Sequence, residues 1–347
     1  MGLLTGVFFH AIGASSASMC YTPERKKKNW SWQTYWLAQA TVCWLILPLT
    51  VAWLTIPDLP AVIRHSPGSS MWLTFTLGAV YGIGGTAFGI AIRYVGFSLT
   101  YAFSIGISCV LGTLLPPILH GQLSDLLGKT GSMWIMGGIA LGIVGIALCG
   151  ISGRMKEKDL SVTTDDVGKF DLAKGMPLCW LAGILASFYG LSLDQGESIA
   201  AVAEKYGAGA FRGNVIYIFS NTGAFLSTLI YCAYLHHKDG TFHEYFSLGK
   251  ASGQNALLKN YGLAWLTGIL WYAQFFFYGL GHVNLGTYQF SSWAIHMIML
   301  VMFSAILGIL MKEWVPVRSG TRRTLGMALF VLLISILMIT FGNYAGA

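Results

Sequence analysis

Charge is what this sequence has least of. Only 10% of its 347 residues are Asp, Glu, Lys or Arg, against about a quarter in an ordinary soluble domain, so there is too little charge to cover a water-soluble surface. Carboxylates are the scarcer sign, 14 against 21 Lys and Arg, and most of them fall in polar loops, which leaves little for an enzyme built on paired acids. Cys20, Cys43, Cys109, Cys149, Cys179 and Cys232 stand singly in apolar stretches with no C-x-x-C pair. They read as small buried filler, and neither a metal nor a redox centre is expected. No G-x-x-x-x-G-K-[ST] pattern occurs, so nothing supports ATP as a drive. The longest polar stretches, 154–175 and 236–259, are too short to bury a core of their own.

What the chain has instead is apolar length. A helix rises about 1.5 Å per residue and needs about 20 residues to cross a hydrocarbon layer of roughly 30 Å. Ten segments reach that length, near 2–21, 33–56, 71–92, 97–120, 131–152, 176–194, 211–235, 261–281, 287–311 and 324–343. The expected class is an all-α integral membrane protein with membrane lipid as its surroundings. The connections after odd-numbered spans hold 17 of the Lys and Arg, including Arg25 to Lys28, and those after even-numbered spans hold 4. Basic loops stay cytoplasmic, which places both termini outside the cytoplasm. The net charge of +7 is thus a topology signal, and no nucleic-acid partner is read into it. The basic cluster follows the first apolar segment, whereas a cleaved signal peptide carries its basic stretch in front. The first helix is therefore expected to be retained.

A charged loop after the fifth span divides the chain into 1–153, a cytoplasmic linker 154–175, and 176–347. Five is odd, so the second half enters from the opposite side, giving two inverted five-helix repeats as in many secondary transporters. Two short joins run in parallel, Tyr94-Val95-Gly96 between spans three and four and His282 to Gly286 between spans eight and nine. Glycine, 43 residues in all, recurs in rows such as Gly78, Gly82, Gly85 and Gly89, and Gly138, Gly142 and Gly145. Rows of this kind let helix backbones approach closely in lipid, and they can also slide.

Polar side chains inside spans are costly and each needs a reason. His10 lies mid-way along the first span and His296 along the ninth. Each can cap a neighbouring carbonyl, or it can serve as a cavity-facing donor or proton-sensitive group. Trp271, Gln274 and Tyr278 share one face of the eighth span, and Gln289, Trp293 and His296, flanked by Tyr288, repeat the pattern on the ninth. An amide among aromatic rings suits a ring of hydroxyls with an apolar side, which is sugar chemistry. Aromatics also line interfaces and cores. Asp194 is the most membrane-embedded acid. Desolvation can make such a carboxyl carry a proton, but a wet residue at a helix end reads equally well.

Several stretches resemble the bacterial L-rhamnose/proton symporters of the drug/metabolite transporter superfamily. They are His10-Ala11-Ile12-Gly13-Ala14-Ser15, Lys28-Asn29-Trp30-Ser31-Trp32, Gly82-Ile83-Gly84, Arg93-Tyr94, the run Trp271 to Tyr278, Gly281-His282, Ser292-Trp293, His296-Met297 and Lys312-Glu313-Trp314. The resemblance spans essentially the whole chain. It implies a non-enzymatic importer of L-rhamnose working by alternating access, with no cofactor beyond the coupling proton, for which a monomer suffices. It points His10, Gln274 and His296 at the sugar hydroxyls and Trp271, Trp293 or Tyr278 at the methyl-bearing face. Tyr288 and Gln289 fall in the same binding set, and Asp194, His296 or His10 would carry the proton. For enterobacterial members it implies a carboxylate at the place of Gln289 and an amide at that of Asp194, the reverse of this chain, which leaves the coupling ion open. Another transported sugar or metabolite, or less readily a membrane sensor or transferase, stays as an alternative.

Overall fold

A computed structural model of the chain describes residues 2–161, 171–247 and 254–346. Lys169, Lys250 and the middle of the 154–175 linker lie outside the described residues. Among the described residues the secondary structure is entirely helical, and ten helices are long and apolar enough to cross a membrane: Leu3–Lys26, Trp32–Thr55, Gly68–Ile92, Leu99–Leu119, Ser132–Leu160, Leu172–Lys205, Gly209–Asp239, Asn255–Asn284, Gln289–Leu310 and Ser319–Ala345. Leu54, Trp72, Met133 and Leu310 are each at least 70% exposed, an outward display of large apolar side chains that only a lipid solvent makes favourable. This is a multi-pass membrane protein.

Three local features depart from a simple row of straight helices. Spans three and four are two helices that meet without a loop at Gly96, whose φ of 77° and ψ of 168° break the helical path, a conformation that only glycine adopts without strain. The second span winds through a π-helical stretch, Thr41–Ile46, just before Pro48. Proline lacks the N–H that an α-helix would use at that turn and its ring crowds the carbonyl four residues back; the wider turn accommodates both. The sixth span runs to Lys205, well past Asp194, because Ile199, Ala200 and Ala203 are buried in an apolar core beyond the two acids that interrupt the hydropathy. Asp194 is therefore inside a helix, not at its end.

The chain divides into two compact units, 1–18 with 84–191 and 280–347, and 19–83 with 192–279. In the first unit, Gly138, Gly142 and Gly145 of the fifth span face Ser335, Ile339 and Leu332 of the tenth so closely that a Cβ on any of them would collide. Ser335 donates to the Gly138 carbonyl at 2.7 Å. At one end of this unit Lys156 pairs with Glu313 at 2.8 Å and lies over the Trp314 ring, while Asp159 accepts from Thr321 at 2.6 Å and from the Arg318 amide at 3.0 Å. Glu313 is thus paired with the fifth span. Outside the spans, Asp171 accepts from the Lys174 amide at 3.1 Å, and that bond holds its carboxyl below the usual carboxylate range.

In the second unit, Gly78 and Gly82 of the third span press on the backbone of Ser220 and Ala224 in the seventh, and Gly223 returns the contact against Phe75. The start of the second span is fastened by Glu244, whose Oε2 accepts from the Ser31 amide at 2.7 Å, the Ser31 hydroxyl at 2.9 Å and the Thr34 hydroxyl at 2.6 Å. A carboxylate at a helix N-terminus satisfies orphan amides and opposes the helix dipole. The Asn260 side chain accepts from the Lys28 amide at 3.1 Å and donates to its carbonyl at 2.7 Å. The polar stretch around Trp30 is in this way a clamp between loop and helix.

Candidate functional site

In the first unit the first and ninth spans bring His10 and His296 together. Both are buried, and their ring centroids are 5.7 Å apart in an edge-to-face arrangement. His10 reaches this place because the end of the eighth span has glycine where its ring lies: a Cβ at Gly281 would be 2.8 Å from the imidazole Cδ2 and Nε2. His282, next in sequence, lies 3.0 Å from the Ser292 hydroxyl through its Nδ1.

Trp293 stands three residues before His296 on the same helix. Its indole N–H donates to the Ser108 carbonyl at 2.9 Å, its ring fills the space left by Gly112, and it lies 6.1 Å from the Tyr189 ring. Gln289 falls in the 3-10 turn Gly286–Ser291, and the α-helix begins only at Ser292. The helix therefore fixes the shared face for Trp293 and His296, while Gln289 precedes the 3.6-residue period. Gln289 is half-buried, and the side chain of Tyr288 is outside the described residues.

In the second unit Trp271, Gln274 and Tyr278 are all buried on the eighth span. Trp271 is the centre of an aromatic cluster that the sequence reading missed: its ring lies 5.4 Å from Tyr21, 5.6 Å from Trp36 and 5.6 Å from Trp44. A Trp-x-x-Gln spacing at Trp36 and Gln39, the same as at Trp271 and Gln274, was the available signal. Asp194 belongs to this unit, half-buried, and accepts from the Gln195 amide group at 3.1 Å. One turn on, Glu197 pairs with Arg212 at 3.6 Å.

Comparison with known proteins decides the lineage. The model of the L-rhamnose-proton symport protein family matches residues 1–345. An L-rhamnose-proton symporter of Pectobacterium carotovorum subsp. carotovorum is 31% identical over 346 residues, 99% of each chain. The chain belongs to that family. Another member, from Enterobacter sp. (strain 638), is 32% identical over 92% of each chain, and one from Mannheimia succiniciproducens is 30% identical over 98% of each. The family is one of symporters and not of enzymes.

Proposed function

We propose that this protein imports L-rhamnose together with a proton across a bacterial inner membrane, with both termini periplasmic. The full-length relationship to L-rhamnose-proton symporters carries this reading. The excess of Lys and Arg after odd-numbered spans supports the orientation. Two inverted five-helix repeats of the drug/metabolite transporter type agree with the way the chain is divided. From residues 1–153 the first unit takes the start of span one, the end of span three and spans four and five; from 176–347 it takes the start of span six, the end of span eight and spans nine and ten. The third–fourth and eighth–ninth joins also both turn on a positive-φ glycine, Gly96 and Gly286.

In this reading His10 and His296 respond to the proton. With the ring centroids 5.7 Å apart, one of the two imidazoles can take a proton, whereas protonating both would meet repulsion of about 3 kcal/mol at an effective dielectric constant of 20. Trp271, Gln274 and Tyr278 serve the sugar, and Trp293, Gln289 and Tyr288 are the further candidates. A proton falling through about 100 mV releases roughly 2.3 kcal/mol, which at about 1.4 kcal/mol per tenfold sustains roughly 40-fold accumulation.

The test is uptake of labelled L-rhamnose by proteoliposomes with and without an inward acid gradient. Accumulation that appears only with the gradient is the expected result, and its absence in the wild-type protein overturns the proposal. Asp194→Asn and His296→Gln assign the carrier: the histidine pair stands if Asp194→Asn still accumulates sugar and His296→Gln does not, and Asp194 replaces it in the opposite case.

A further inference from the structure

The aromatic cluster of the second unit contains more polar capacity than it uses. Trp36, Trp44 and Trp271 form a triangle of rings with centroid separations of 6.5, 5.6 and 5.6 Å, all edge-to-face, with Tyr21 against Trp271 and Tyr81 against Trp44. Gln39, 0% exposed, stands on the same helix as Trp36 and Trp44. The indole N–H groups of Trp36 and Trp44 and the side-chain NH2 of Gln39 are buried without a hydrogen-bond partner, while the Gln39 oxygen has only the weak Cys43 thiol at 3.6 Å. A buried donor without a partner is destabilising, so three within nine residues of one span, on side chains where an apolar residue would pack as well, call for a ligand.

We propose that Trp36, Trp44, Trp271 and Gln39 form a sugar-stacking site within this unit. It takes a neutral deoxypyranose, its C–H face laid on an indole and its hydroxyls on the three unmet donors. Chemistry selects that class. The cluster holds no carboxylate or basic group, which excludes a charged ligand, and an amide with indole N–H groups among π-faces matches a solute that is hydroxylated on its edge and apolar on its face. The backbone around it is adapted as well. The π-helical stretch Thr41–Ile46 lies between Gln39 and Trp44, a device frequent at functional sites, and Gly268 lets the eighth span come within van der Waals contact of Val42 and the Gln39 carbonyl. The rings touch one another, so a pyranose enters by parting them, and its arrival must alter indole emission.

This site rests on the L-rhamnose reading, and the test separates the two. L-Rhamnose is titrated against the intrinsic fluorescence of the purified full-length protein, with thermal melting recorded for each variant. The wild type is expected to show a saturable change. Gln39→Leu should weaken it at least tenfold while the melting temperature holds or rises, because the substitution removes a buried unmet donor; a merely structural Gln39 would show the reverse. Trp36→Phe should weaken binding similarly, and Trp72→Phe, at an exposed position, should leave it unchanged. Wild-type affinity in both Gln39→Leu and Trp36→Phe overturns the site. If wild-type protein gives no response to L-rhamnose and does not transport it, the transport reading fails, and a panel of other neutral deoxysugars and pentoses decides the site. A response to one of them that Gln39→Leu abolishes upholds it, and no response to any overturns it.

Discussion

Gly281→Ala tests whether the imidazole pair matters without altering a single polar atom. The added methyl carbon would lie 2.8 Å from two atoms of the His10 ring and 2.9 Å from a third, where ordinary carbon contacts begin near 3.5 Å. His10 has no exposed surface into which to retreat, and His296 is 5.7 Å away, centroid to centroid. The contact therefore has to be relieved by rotating the imidazole off its position or by pushing the first span from the eighth. Overpacking of this kind costs about 1–3 kcal/mol. At about 1.4 kcal/mol per tenfold, the population holding the native His10–His296 geometry falls roughly 5- to 150-fold.

The assay is initial L-rhamnose uptake into proteoliposomes at fixed acid gradient, with melting of the detergent-solubilised protein beside it. Uptake should fall at least fivefold. Gly326→Ala is the control, since a Cβ there meets nothing within 4 Å; it should transport normally and gain up to about 1 kcal/mol of helix propensity. Wild-type uptake and melting in Gly281→Ala would refute the reasoning, because the His10 position would then be free to vary.

Three further substitutions probe the frame around these groups. Gly78→Ala drives a methyl into the Ser220 backbone, which cannot rotate away, and the yield of folded protein should drop well below that of Gly262→Ala, whose Cβ meets open space. Glu244→Gln removes the charge from three hydrogen bonds to Ser31 and Thr34 and should cost about 1.5–3 kcal/mol, read as a lower melting temperature that excess ligand partly restores. Trp293→Phe swaps the indole for a smaller phenyl and loses the 2.9 Å bond to the Ser108 carbonyl, worth about 0.5–1.5 kcal/mol before the added loss of packing, with a melting shift and no change in proton dependence.

The ten spans were legible in the sequence because crossing lipid demands only length and composition, and both are local. The glycine rows were legible for the same reason: Gly78 and Gly82, or Gly138, Gly142 and Gly145, are spaced by the helix itself, and the structure places a backbone or side chain tightly against each. What was not legible depends on distant partners. Nothing around Ser31 announces a carboxylate 213 residues away, and the end of the sixth span was misplaced because Asp194 and Glu197 look like a water-facing boundary until the core beyond them is known.

The candidate site shows the same division more sharply. Periodicity relates Trp271, Gln274 and Tyr278 securely, since a single helix holds all three, but it is a weaker guide to Gln289, where a 3-10 turn interrupts the period before Ser292. Which faces meet is set by where backbone bulk is missing. Gly281 admits the His10 ring, Gly112 admits Trp293 and Gly268 admits the second span beside the eighth, and each is invisible as a contact until the partner is known. The aromatic cluster follows from this. Trp36 and Trp44 are drawn to Trp271 by a glycine on one helix and a π-turn on the other, and it is that backbone arrangement, not the tryptophans' abundance, that leaves their N–H groups buried without a partner.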